Sequence, residues 1–282
     1  MKKVICIMGP TASGKTGLSI KLAKALNGEV INGDSVQIYQ ELNIGSAKIK
    51  QDEQEGIKHH LLSINPLAKP YTVYNFQQDV RNLLNKIDVP MIVGGSGLYI
   101  KSALYNYEFE AYDEAFVDVS HEEKVEAIKL KDPTLDIDFS NVRRVNSAYK
   151  QILAGSKRSE KIKKDEALYD IFLIYLDIDR TVLKERLKYR LDQMIEEGFI
   201  DEVKGLMDYE LNIIGYREIK SYLLGQVSLE EAKEKIIQVS MRFAKKQKTW
   251  FKNQMKPNIY DALSPTLFLD VLNDVKTFLE KT

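Results

Sequence analysis

Only one of the 282 residues is a cysteine, Cys6, and only three are histidines. A lone thiol excludes a disulfide framework and, set inside an apolar run, reads as a core residue of a protein kept reduced. His59 and His60 are adjacent, so on an extended segment their rings point to opposite faces, and no cysteine cluster accompanies them; a zinc site is not expected. No apolar stretch approaches the roughly 20 residues of a membrane span. Met1-Lys2-Lys3 is followed by only five apolar residues, too few for the core of a secretory signal. The expectation is a cytoplasmic protein with no membrane attachment, and nothing calls for an obligate protein partner. Internal repeats and low-complexity segments are absent as well.

Net charge is missing too, since 41 Lys and Arg balance 41 Asp and Glu. The balance hides a segregation. Residues 143–164 carry eight basic residues against one acidic, and residues 233–256 again carry eight against one, whereas the stretch from Glu108 to Asp138 is acidic. Surfaces polarised in this way suit a polyanionic partner; the competing reading is two solvated helix faces with no ligand.

What is present is sharper. Val4-Ile5-Cys6-Ile7-Met8 runs into Gly9-Pro10-Thr11-Ala12-Ser13-Gly14-Lys15-Thr16, and Leu18, Leu22 and Leu26 then recur at helical spacing. A phosphate loop has this pattern and these flanks. Its backbone N–H groups and the helix N-terminus attract anions, Lys15 adds a full charge, and the Thr16 hydroxyl is a magnesium ligand. The loop wants a diphosphate or triphosphate, and by itself leaves open whose.

Further strands are expected at Glu29–Asn32, Met91–Val93 and Ile171–Leu176, alternating with helical stretches. This predicts an α/β fold of the P-loop NTPase type, a mostly parallel sheet flanked by helices, with ligands at the carboxyl ends of the strands. Gly9, Asp34 and Gly94 all fall just past such ends. From about Phe109 to Lys164 the pattern changes to an acidic helical stretch, a break at Asp132-Pro133 and a basic block. Residues 1–108 and 165–282 are therefore expected to form the catalytic core, with 109–164 an inserted helical lobe. Two long helices follow, with apolar stripes Leu183, Leu187, Leu191 and Met194 on one and Ala232, Ile236, Phe243 and Trp250 on the other. A P-loop kinase needs an acid at the end of an apolar strand to organise magnesium. Val89–Val93 ends instead in Gly94-Gly95-Ser96-Gly97, which counts against that class. The acid nearest the loop is Asp34, suited to organising a metal or taking a proton; the ordinary alternative is a helix N-cap.

Taken in order, Gly9–Thr16, Gly33-Asp34-Ser35-Val36-Gln37-Ile38-Tyr39, Ile44-Gly45-Ser46-Ala47-Lys48, His59-His60-Leu61 and Gly94-Gly95-Ser96-Gly97-Leu98-Tyr99 resemble the motifs of the tRNA dimethylallyltransferase family. Arg190-Leu191-Asp192-Gln193-Met194, Ile214-Gly215-Tyr216-Arg217-Glu218 and Phe243-Ala244-Lys245-Lys246-Gln247-Lys248-Thr249-Trp250-Phe251 resemble its later blocks. The resemblance covers nearly the whole chain outside the lobe.

It implies transfer of a five-carbon prenyl group from dimethylallyl diphosphate to the exocyclic amine of the adenosine just 3′ of the anticodon. Lys15, the loop amides and Mg2+ on Thr16 would then stabilise the departing diphosphate. Asp34 would take a proton from the amine, and Ser96, where the family usually has threonine, would lie near the amine and the diphosphate. Arg190 corresponds to a diphosphate contact. Asp34, Ser35, Val36, Gln37 and Ser96 would meet the flipped base. Arg143, Arg144, Lys157, Arg158, Arg217, Arg242, Lys245 and Lys246 would hold the anticodon stem-loop. The chain departs from the family pattern in a shorter lobe, in Asn146-Ser147-Ala148-Tyr149-Lys150 after Val145, and in Met241 at a commonly basic position. Competing functions are a P-loop kinase or NTPase acting on a small metabolite, an adenylate prenyltransferase using free nucleotides, and a non-catalytic RNA binder.

Overall fold

A computed structural model describes residues 1–107, 119–159 and 165–281, with the side chain of Arg143 excepted. The start of the expected lobe and the end of its basic block lie outside the described residues. The chain forms two compact units, Met1–Leu104 with Tyr169–Thr282, and Tyr105–Leu168.

The larger unit is built on a six-stranded parallel sheet: β1 Lys3–Met8, β2 Glu29–Asn32, β3 His59–His60, β4 Pro90–Gly94, β5 Asp170–Asp177 and β6 Asn258–Asp261. The strand order is β3-β2-β4-β1-β5-β6, and every neighbouring pair is parallel. In β1, Val4–Met8 are all 1% exposed or less. Helices cover both faces of such a sheet, so its central strand is a continuous apolar run with no polar alternation. The α1 helix (Lys15–Leu26) and α10 (Leu267–Glu280) close one face, where Leu18, Leu22, Val271 and Val275 meet Ile5, Ile7, Met91, Ile174 and Leu176. The α2 helix (Val73–Leu84) is started by a Thr72–Asn75 capping box, and α3 (Gly97–Leu104) follows β4 directly.

A helical layer lies beyond β5: α6 Arg180–Glu196, α7 Phe199–Lys204, α8 Tyr216–Leu223 and α9 Leu229–Met255. Leu183, Leu187 and Leu191 of α6 pack with Ile236 and Ile237 of α9 and with Phe199 and Tyr216. The stripe expected along α9 is corrected in its second half. Ala232 and Ile236 are buried, but Phe243 is 46% exposed, and the helix continues its core contacts through Gln247, Phe251 and Met255. The helix changes neighbours along its length: Phe243 lines a cavity, and Trp250 is only half-buried, its ring against Gly97.

The smaller unit contains α4 (His121–Lys131) and α5 (Val142–Leu153), started by Ser120 and Asn141 caps. It closes its own core around Ile128, Val145, Ala148 and Tyr149. Asp132, expected as a break, is the α4 C-cap.

Candidate active site

The carboxyl ends of β1, β2 and β4 deliver Gly9, Asp34 and Gly95 to one cavity of about 380 Å3, whose walls also include Lys15, Ser35, Ser96, Arg190 and Gln247. The floor is the phosphate loop. Gly14, at φ +93° with no side-chain cap, is the N-cap of α1, a backbone conformation that favours glycine. Uncapped N–H groups at a helix start are an anion site. Half-buried Lys15 donates from Nζ to the Pro10 carbonyl at 2.7 Å. Burial pushes its ammonium down to about 8, with Asp34 opposing the shift and Arg190 adding to it. Arg190 is likewise held below its ordinary value by burial, with Glu53 and Glu197 opposing.

Asp34 is held with one carboxylate oxygen committed. Its Oδ1 accepts from Val36 N–H at 2.8 Å, forming a side-chain turn that no helix follows, so the N-cap alternative does not apply. Buried Asn32 grips the Asp34 peptide from both sides: Oδ1 accepts the Asp34 N–H at 3.0 Å and Nδ2 donates to the Asp34 carbonyl at 2.9 Å. The exit of β4 crosses over this turn so closely that a Cβ on Gly94 would lie 2.1 Å from the Gly33 carbonyl carbon. The Ser96 hydroxyl accepts from Ser35 N–H at 2.9 Å and donates to Ser35 Oγ at 3.1 Å, so it fastens the Asp34–Ser35 turn.

Two arginines one turn apart on α6 reach the loops from the side. Arg190 donates to the Ala47 carbonyl at 3.4 Å, and Arg186, which the sequence did not single out, donates to the Ala12 carbonyl at 3.3 Å. Their register is set by Asp179, whose carboxylate accepts from Thr181 and Val182 N–H. Gln37 sends its amide nitrogen to the Ser46 and Ala47 carbonyls at 3.0 and 3.3 Å. Val36 is half-buried against the helical core. The rest of the cavity is apolar, with Leu187, Met194, Ile214, Ile236 and Phe243 on its walls.

Other expected residues lie elsewhere. Arg217 stands outside the cavity, bound to Glu218 and to Asn212 Oδ1. Arg242, Lys245 and Lys246 are exposed along α9. Arg144 is exposed on α5 in the smaller unit. His60 Nε2 meets Glu29 Oε2 at 2.5 Å and His59 Nδ1 meets the Ile57 carbonyl at 2.8 Å, which accounts for both rings.

For a cation, the exposed Thr16 hydroxyl and Asp34 border one basin with the loop, and the described residues contain no group of three His, Cys, Asp or Glu side chains. So few hard oxygen donors fit magnesium, which takes one or two protein ligands and completes its shell with water and substrate phosphate. Asp177, the acid at the carboxyl end of β5, is paired to Lys248 at 2.6 Å.

A family model described as IPP transferase matches residues 37–254. A tRNA dimethylallyltransferase of Acholeplasma laidlawii is 63% identical over 99% of both chains, and one of Phytoplasma australiense is 49% identical over 100% of this chain and 99% of the relative. Among solved structures, a tRNA isopentenylpyrophosphate transferase of Staphylococcus epidermidis superposes with a TM-score of 0.74 at 34% identity, covering 100% of both chains. A eukaryotic dimethylallyltransferase solved acting on tRNA superposes with a TM-score of 0.81 at 26% identity, over 98% of this chain and 78% of that one.

Proposed function

The chain belongs to the IPP transferase family, whose relatives are tRNA dimethylallyltransferases, and from that premise we propose that it moves a dimethylallyl group from dimethylallyl diphosphate to the exocyclic amine of the adenosine 3′ to the tRNA anticodon. The observation that carries this is one cavity joining an anion cradle, a carboxylate with a free oxygen and an apolar wall. An NTPase has no use for the last of these; a prenyl donor needs it beside the first.

The new N–C bond forms as the C–O bond to the diphosphate breaks, and negative charge grows on the departing oxygens. Half-buried Lys15 and Arg190, exposed Arg186 and the α1 N-terminus face that charge from different sides, and the two half-buried groups interact with it more strongly than they would in water. The adenine amine is a poor nucleophile because its lone pair is delocalised into the ring. Asp34 Oδ2 takes its proton as the bond forms, while Oδ1 stays anchored on Val36. Leu187, Met194 and Phe243 keep water from the electrophilic carbon. Thr16, with Asp34 near it, would hold Mg2+ on the diphosphate, adding charge neutralisation.

Ser35 and Val36 on the cavity wall and Gln37 on the adjoining basin face the base, which must leave its stack to enter. Arg242, Lys245 and Lys246, with Arg143 and Arg144 of the smaller unit, bind the RNA backbone, and the reaction belongs in the cytoplasm, where tRNA is. No described helix is long and apolar enough to cross a membrane. The test is a comparison of acceptors. Purified protein with dimethylallyl diphosphate should modify unmodified tRNA and leave AMP unmodified, releasing one diphosphate per transfer. Consumption of ATP in the absence of tRNA would support the kinase or NTPase alternative.

A further inference from the structure

Glu202 of α7 is engaged far beyond what a helix-surface carboxylate needs. Its Oε2 accepts from the N–H groups of Asn43 and Ile44 at 3.0 and 2.8 Å, and its Oε1 accepts from Gly45 N–H at 3.0 Å and from the Tyr216 hydroxyl at 2.6 Å. Four donors converge on one carboxylate. They pin a loop that also has a hard stop behind it: a Cβ on Gly45 would lie 2.1 Å from the Phe199 ring and 2.7 Å from the Tyr216 ring.

The next two residues of that loop, Ser46 and Ala47, are the ones whose carbonyls take both bonds from the Gln37 amide nitrogen. With its nitrogen spent on carbonyl oxygens, Gln37 cannot turn its amide over without facing oxygen to oxygen. Its Oε1 is therefore fixed as an acceptor in the basin beside the phosphate loop that Gln37, Ser46 and Ala47 all line, which shares Lys15, Asp34, Ser46, Ala47 and Arg190 with the apolar-walled cavity. A fixed acceptor welcomes an exocyclic amine and repels a ring carbonyl in the same place, which is the difference between adenine and hypoxanthine or guanine.

We propose that Glu202 is a positioning residue for base selection: by clamping the Asn43–Gly45 loop it holds the carbonyls that lock the Gln37 amide in its amine-accepting orientation. The proposal rests on the reading of the shared edge of cavity and basin, at Asp34, Ser46 and Ala47, as a base pocket. Glu202 touches no substrate and acts through Gln37.

The readout is binding, so that it does not depend on turnover. Anticodon stem-loops carrying adenosine or inosine at the acceptor position are titrated with full-length protein. The wild type should prefer adenosine by about tenfold, the scale of one good base contact. Glu202→Gln keeps the shape but turns an NH2 group toward backbone donors, and should bring the preference to within about twofold by weakening adenosine binding alone. In a Gln37→Ala background, Glu202→Gln should change the ratio no further. Tyr216→Phe removes one of the four donors and leaves the three backbone bonds, so it reports on the clamp should Glu202→Gln fail to fold; it should lose part of the preference. A preference kept at its wild-type value in whichever of these variants folds overturns the proposal. A wild type that neither discriminates the two loops nor transfers a prenyl group would instead overturn the underlying reading of the site.

Discussion

At the scale of single residues, Lys15 makes a quantitative claim. Its ammonium, held at about 8 by burial in the free protein, is pushed back up when an anion fills the cradle. The bound state then holds more protons than the free state above pH 8, so affinity for an unreactive dimethylallyl diphosphate analogue should fall up to tenfold per pH unit from there. Calorimetry at pH 8.5 in buffers of different ionisation enthalpy should register proton uptake, and binding without it would contradict the cause assigned to the shift. Arg186→Ala should lower kcat/KM for the donor by roughly tenfold or more while leaving tRNA binding alone, as expected of a charge facing the leaving group; weakened tRNA binding at an unchanged donor constant would reassign it. Lys15, Thr16 and Asp34 were legible in the sequence because a phosphate loop and the turn after the next strand are local patterns. Arg186 and Glu202 were not, since the bonds that give them a role reach across 174 and 159 positions; Asn32, whose bonds to Asp34 span only two positions, reads from the sequence simply as the last residue of a strand.

Between elements, the site depends on how strands leave the sheet. Gly14, where the loop after β1 enters α1, and Gly94, at the end of β4, are constrained for different physical reasons, and substitution should separate them. Gly14→Ala meets no atom within 4 Å and suffers only the left-handed backbone, costing about 1–2 kcal/mol. Gly94→Ala drives a methyl group into the Gly33 backbone and should cost well over that, with the Asp34 turn displaced. Chemical denaturation of the two variants orders these costs; equal losses would mean that the β4 exit packs on the turn after β2 more loosely than described. β1, β2, β4 and β5 were readable as apolar runs because burial on both faces demands them. β3 has two residues and β6 is a partly exposed edge with the sequence Asn258-Ile259-Tyr260-Asp261, so neither leaves a run to read. The α9 stripe misled beyond Ile236 because a helix that passes from core to cavity wall keeps aromatic residues on a face that is no longer buried.

For the whole molecule, a chain with no net charge is asked to grip a polyanion, and the segregation of its charges makes that physically reasonable. Arg242, Lys245 and Lys246 are exposed along a single helix. Replacing all three with alanine should flatten the dependence of log K for tRNA on log salt by roughly 2–3 units and weaken all tRNA sequences alike; an unchanged slope would place the RNA elsewhere. The parallel sheet and the converging loops were legible from the alternation of strands and helices. The account as a whole turns on a proton moving to Asp34 while a diphosphate leaves from above the phosphate loop. Single-turnover prenylation of unmodified tRNA by wild type and Asp34→Asn, read by mass spectrometry of the nucleosides, tests it most directly. The account predicts prenylated adenosine from the wild type and a rate at least about a hundredfold lower from the variant, with tRNA and donor binding retained. A variant that transfers at the wild-type rate would contradict it.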